Sequence, residues 1–157
     1  MSQVEDALAD LSSQRSVVAE GTVRAVASEA WAASPRRARV LVIDDEPVLL
    51  RGLKRSLSDH DVMTAGSVTQ GIQLYQNHQF DIVFCDLMMP ELNGLEFHAR
   101  LNALGPSHAE RLVLMTGGVF ADRLGCSLSE ISTPCILKPF KHGELERLIT
   151  EALARQR

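Results

Sequence analysis

The 157-residue chain is poor in the residues that build several kinds of specialised site. Its three cysteines, Cys85, Cys126 and Cys135, are odd in number and lack CxxC spacing. That disfavours a disulfide framework or a zinc centre and fits reduced thiols in a cytoplasmic chain. One Trp, one Tyr and five Phe are too few for a stacking surface that holds sugars or single-stranded nucleic acid. The five histidines form no HxxxH pair and are expected at the surface. No apolar run approaches the ~20 residues of a membrane span. The first thirty residues carry Glu5, Asp6, Asp10, Glu20 and Glu29 and no apolar h-region, so no signal peptide is expected. No basic stripe stands out against a net charge of −4, which argues against a nucleic-acid partner. The length is that of one domain with a short extension. The apolar share of 45% and charged share of 23% suit a single packed core.

A composition break falls at Ala33-Ser34-Pro35-Arg36-Arg37. Before it, Val4, Leu8, Leu11 and Val18 recur at helical steps, Gly21 interrupts, and Val23, Val26, Ala27, Ala30 and Trp31 suggest a second helical piece. Residues 1–38 therefore read as a helical extension, either a dimerising or docking helix or a plain linker. After the break, β-branched runs alternate with amphipathic stretches. Val40-Leu41-Val42-Ile43, Asp81-Ile82-Val83-Phe84-Cys85 and Leu112-Val113-Leu114-Met115 are short, nearly continuous apolar runs, as in strands covered on both faces. Val62–Ala65 and Pro134–Leu137 are weaker strands. The helical patterns use Val48, Leu49, Leu53 and Leu57, then Ile72 and Leu74. Later ones use Leu95, Phe97, Leu101 and Leu104, and finally Leu145, Leu148, Ile149 and Leu153. Residues 39–157 thus read as five β/α repeats, a doubly wound α/β domain with a parallel sheet. The stretch Gly117–Ile131, with Gly117, Gly118 and Gly125, is the weakest helix.

In an open parallel sheet, ligands bind beyond the carboxyl ends of the strands. The first predicted strand ends in Asp44-Asp45-Glu46, the third in Asp86, the fourth in Thr116 and the fifth in Lys138. These ends should converge on one edge. Clustered carboxylates raise each other's pKa values unless a cation intervenes, and Mg²⁺ is the hard oxygen-seeking ion that suits a few carboxylates and water. An Asp placed among Mg²⁺, a lysine and a threonine is set up to accept a phosphoryl group, because the cations neutralise the charge on the transferred oxygens. Each residue alone has a plainer reading: Asp45 before Pro47 resembles a helix cap, and a Lys is usually solvated. The joint pattern carries the site.

This constellation resembles the receiver domain of two-component response regulators. The resemblance spans roughly Arg39 to Arg155. It rests on Val40-Leu41-Val42-Ile43-Asp44-Asp45-Glu46, on Asp86-Leu87-Met88-Met89-Pro90 with Asn93-Gly94, on Leu114-Met115-Thr116-Gly117 and on Lys138-Pro139-Phe140. The steps between Asp45, Asp86, Thr116 and Lys138 are 41, 30 and 22 residues. The resemblance implies a flavodoxin-like sheet of order 2-1-3-4-5 and a cis Lys138–Pro139 bond. It implies Asp86 as phosphoacceptor, with Thr116 and Lys138 contacting the phosphoryl group. Mg²⁺ would sit on Asp44, Asp45, Asp86 and the backbone carbonyl of Met88. The phosphodonor would be a histidine kinase or phosphotransfer protein, with a downstream protein contacting the last helices and strand.

The pattern is broken at Cys135 and at Gly117-Gly118, the latter standing where many receivers have Ala and another residue. Receivers commonly carry an aromatic three residues before the lysine, and here that residue is Cys135. The Thr-Gly-Gly and Pro-Cys sequences are similar to receivers attached to hybrid histidine kinases. The chain ends just beyond its last helical pattern, so no output domain is expected. Two rival readings stand beside the receiver. One is an interaction module of the same fold that works without phosphorylation. The other is a Mg²⁺-dependent phosphatase, against which Met88 stands where such enzymes carry a second Asp.

Overall fold

The computed structural model describes residues 36–117 and 132–156. The N-terminal helical pieces, Trp31, Cys126 and nearly all of the weak Gly117–Ile131 helix lie outside the described residues. The elements run β1 (Arg39–Ile43), α1 (Pro47–Ser56), β2 (Asp61–Ala65), α2 (Val68–Asn77), β3 (Ile82–Asp86) and α3 (Gly94–Leu104). A four-residue α4 (Pro106–Ala109), β4 (Leu112–Gly117), β5 (Cys135–Lys138) and α5 (His142–Arg155) complete the order. All pairings are parallel, and the five strands lie in the order β2-β1-β3-β4-β5, as expected.

Strand alternation divides the core into two faces. Val40, Val42, Ile82, Phe84, Val113 and Met115 point to one side, under Leu53 and Leu57 from α1 and its end and Leu145, Leu148 and Ile149 of α5. Leu41, Ile43, Val83, Cys85, Leu112 and Leu114 point to the other, under Val68 and Tyr75 of α2 and Phe97 and Leu101 of α3. Both faces are dry, which is why the strand sequences read as unbroken apolar runs. Cys85 is part of this packing. Burial is the largest cause pushing its thiol pKa up, which keeps it an inert thiol.

Three expectations need correction. Val48 does not join the core face: it is 73% exposed. The helical period places Leu49, Leu50, Leu53 and Leu57 inward, and Val48 one step around the helix from them. Leu104, at the last turn of α3, is also exposed. The histidines are not all surface residues. The His60 side chain is only 8% exposed, and His108 accepts or donates a 2.9 Å hydrogen bond at the Tyr75 hydroxyl.

Gly52 lies exposed inside α1, and a Cβ there would meet nothing within 4 Å. Gly52→Ala should therefore stabilise the fold by about 0.5–1 kcal/mol. A urea midpoint that fails to rise would show a backbone constraint at that turn.

Candidate functional site

Register builds the site. Ile43 pairs with Cys85, so Asp44 and Asp86 leave adjacent strands side by side. Asp86 pairs with Met115, while Lys138 pairs with Gly117, two residues farther along the sheet edge. The long lysine stem can therefore reach back across β4 and β3. Its Nζ lies 2.5 Å from Asp44 Oδ2 and 3.5 Å from Asp86 Oδ1. One carboxylate oxygen from each of Asp44, Asp45 and Asp86 lies within 4.8 Å of the others. Residues far apart in sequence thus meet at the carboxyl edge.

The three acids are not equivalent. Asp44 has no exposed surface, and both of its oxygens are engaged: Oδ1 accepts the Glu46 N–H at 2.9 Å and Oδ2 accepts from Lys138. Asp45 is exposed. Asp86 is 6% exposed, and its Oδ1 accepts a long hydrogen bond from the Met88 N–H at 3.4 Å. Burial raises the Asp86 pKa; the Lys138 ammonium opposes that rise and Asp44 adds to it. Burial alone would lower the Lys138 pKa, but its hydrogen bond to Asp44 and the charges of Asp86, Asp44 and Glu46 outweigh burial and raise it. One ammonium thus faces three carboxylates, which leaves an uncompensated negative charge made of hard oxygen donors. That donor set fits a divalent cation such as Mg²⁺.

Thr116, one residue before the end of β4, is fully buried, and its hydroxyl donates to the Gly117 carbonyl at 3.3 Å. Met88, two residues after Asp86, is 40% exposed. Cys135 is partly buried and packs on the α2–α3 side of the sheet. The Lys138–Pro139 peptide is cis.

Local structure holds the loop after Asp86 tightly. Asn93 caps α3: its side chain accepts from the Leu95 and Glu96 N–H groups, and the Glu96 carboxylate accepts from the Asn93 N–H. The Asn93-x-x-Glu96 spacing is a capping-box pattern legible in sequence, yet Glu96 was not singled out there. Glu91 sits at φ 67°, a left-handed conformation that costs an L-residue about 1–2 kcal/mol. At Gly94 a Cβ would stand 2.8 Å from the Asp86 carbonyl and 2.9 Å from Leu114 Cδ2. Only glycine lets α3 start this close to the end of β3. Gly94→Ala should destabilise the fold by about 1–3 kcal/mol and displace the Asp86 backbone. Thermal unfolding would read the first effect, and an unchanged transition would refute the close approach.

Comparisons with known proteins agree with this geometry. The response regulator receiver domain family matches residues 40–150. The alginate biosynthesis transcriptional regulatory protein AlgB of Pseudomonas syringae pv. tomato is 32% identical over 121 residues, which are 76% of this chain and 26% of that protein. The response regulator Rre1 of Synechocystis is 30% identical over 124 residues, 74% of this chain and 52% of that protein. The chain therefore spans about a quarter of the first relative's length and half of the second's. A response regulator receiver domain protein from Clostridium thermocellum superposes with a TM-score of 0.66 at 28% identity, over 76% of this chain and 96% of that one. With the fold, the strand order and the acidic edge all in place, the chain belongs to the response regulator receiver family of two-component signalling.

Proposed function

We propose that the chain accepts a phosphoryl group on Asp86 from the phosphohistidine of a histidine kinase or phosphotransfer protein, and signals through protein contacts. The observation that carries this reading is the meeting of Asp44, Asp45, Asp86 and Lys138 at the carboxyl edge of the sheet. An Asp86 carboxylate oxygen attacks phosphorus, the phosphorus–nitrogen bond breaks, and the imidazole leaves with the bonding pair and takes up a proton. Lys138 balances charge on the transferred oxygens, and the Thr116 hydroxyl, which donates to the Gly117 carbonyl here, would turn to donate to one of them. Mg²⁺ would be held by Asp44, Asp45, Asp86 and the Met88 carbonyl, and when bound it supplies further neutralisation of the phosphoryl oxygens. The hydrogen bonds that Asp44 accepts from Glu46 and Lys138 fix the orientation of its carboxylate. The chain modifies itself and turns over no metabolite.

Met88 offers no group to orient an attacking water, which supports a long-lived phosphoaspartate; hydrolysis within seconds would contradict that. Leu137 on β5 is 57% exposed and suits a downstream contact face. Cys135 favours one second reading, an interaction module that works without phosphorylation, since no ring is present there to move with Thr116. Incubation with acetyl phosphate separates the two. The receiver reading expects one added phosphoryl group by intact mass when Mg²⁺ is present and none when it is chelated. No addition in either condition would favour the interaction module.

A further inference from the structure

A second polar cluster lies away from the acidic edge, where the chain leads into β1 and β2, and the chemistry above does not use it. His60 sits in the turn before β2 with its ring almost fully buried. Its Nδ1 is 3.2 Å from the Ala38 backbone nitrogen, just before β1, and its Nε2 is 3.0 Å from Glu146 Oε2 on α5. The other Glu146 oxygen lies 3.8 Å from His142 Nε2, and His142 Nδ1 is 2.8 Å from Ser56 Oγ at the end of α1. Arg37 donates to the Ser58 and His60 carbonyls and pairs with Asp61 at 3.3 Å.

The ring's protonation pattern follows from one fact: a backbone N–H can only donate. His60 Nδ1 must therefore accept from Ala38 and carry no hydrogen. The ring proton then sits on Nε2 and is donated to the Glu146 carboxylate. The same accounting excludes a metal held by His60, His142 and Glu146. The Nδ1 lone pair is used and Nε2 carries a proton, so His60 has no free lone pair for a cation.

We infer that His60 is a two-armed clamp, fixed as the Nε2–H tautomer, which couples the residues leading into β1 to the first turns of α5. The Glu146 arm orients the ring so that the Ala38 arm can form, and each arm holds the other. Motion at the start of α5, which begins four residues beyond Lys138, then reaches Arg37 and Ala38, and displacement of those residues pulls on α5. The clamp is independent of whether Asp86 is phosphorylated.

The test uses the full chain. Long-range proton–nitrogen spectra of ¹⁵N-histidine protein at neutral pH should show His60 protonated on Nε2 alone. Glu146→Ala should speed hydrogen exchange at the Ala38 amide about tenfold, although the Ala38 amide bonds to His60 and not to Glu146. Glu146→Gln, whose amide oxygen still accepts from Nε2–H, should leave that exchange close to wild type. A proton on Nδ1, unchanged Ala38 exchange in Glu146→Ala, or equal acceleration in both variants would overturn the clamp. The last result would assign the effect to the lost charge instead of to the oriented ring.

Discussion

Asp86→Asn should abolish phosphoryl addition from acetyl phosphate and, at neutral pH, make the fold more stable than wild type. The first effect follows from chemistry. An amide oxygen is a poor nucleophile toward phosphorus, and Asp44 cannot substitute because both its oxygens are engaged and it has no exposed surface. Asp45 is exposed but lies outside hydrogen-bond contact with Lys138 among the described pairs. A phosphoryl group that still appears in Asp86→Asn would move the acceptor to another residue. The second effect follows from linkage. Burial raises the Asp86 pKa in the fold, so the folded chain holds that proton to higher pH than the unfolded chain does. Asp86 thus favours folding below the ordinary carboxylate range, and that contribution is lost as pH rises through its folded pKa. An uncharged isostere removes the penalty at neutral pH. The variant's gain in urea midpoint should shrink toward zero as the solution is acidified through the carboxylate range. A gain that is the same at pH 3 and pH 7 would show that charge burial is not its source.

Lys138→Met should destabilise the fold at neutral pH by about 3 kcal/mol, the scale expected when one member of a buried ion pair is removed. Methionine keeps most of the stem's volume, so the loss isolates the charge. Asp44 is fully buried, and without the ammonium its carboxylate lies beside two further carboxylates with no cation between them. The pH dependence has a definite sign. The Lys138 pKa is raised in the fold, so its stabilisation is complete at neutral pH. It is lost only as pH climbs past the ordinary lysine range toward the folded value. The difference between wild type and variant in chemical unfolding should therefore narrow at alkaline pH. It should also narrow in acid, where the carboxylates are protonated and no longer need the cation. A difference under about 1 kcal/mol at neutral pH would mean that water solvates Asp44 once the lysine is gone.

The parallel sheet was legible because both of its faces are dry. A strand such as Val40–Ile43 has no polar position to spend on solvent, and its acidic residues can fall only at its end. The same logic exposed the site: charged residues directly after apolar runs mark strand ends, and strand ends in a parallel sheet face one edge. Element boundaries moved by a residue at β3, because Asp81 stops short of the strand and accepts the Arg39 N–H at 2.8 Å. Val48 misled because an apolar residue one step off a helical stripe looks the same in sequence as one on it. The α4 turn was not anticipated, since four residues offer no period to read.

The sequence by itself determined the family, the strand order and the identity of the residues at the acidic edge. The acidic edge follows from local pattern, while the family and the strand order follow from the resemblance that the ordered motifs carry. Only the tertiary structure decided how those residues divide their roles. Lys138 is 94 residues from Asp44, and nothing local says that it pairs more closely with Asp44 than with Asp86. Neither could sequence tell that Asp44 is sealed from solvent while its neighbour Asp45 is exposed, that Gly94 is pressed against the Asp86 carbonyl, or that His60 is buried between Ala38 and Glu146. The reason is common to all of them. Desolvation and hydrogen-bond geometry depend on what packs across the sheet, and that is set by contacts between segments far apart along the chain.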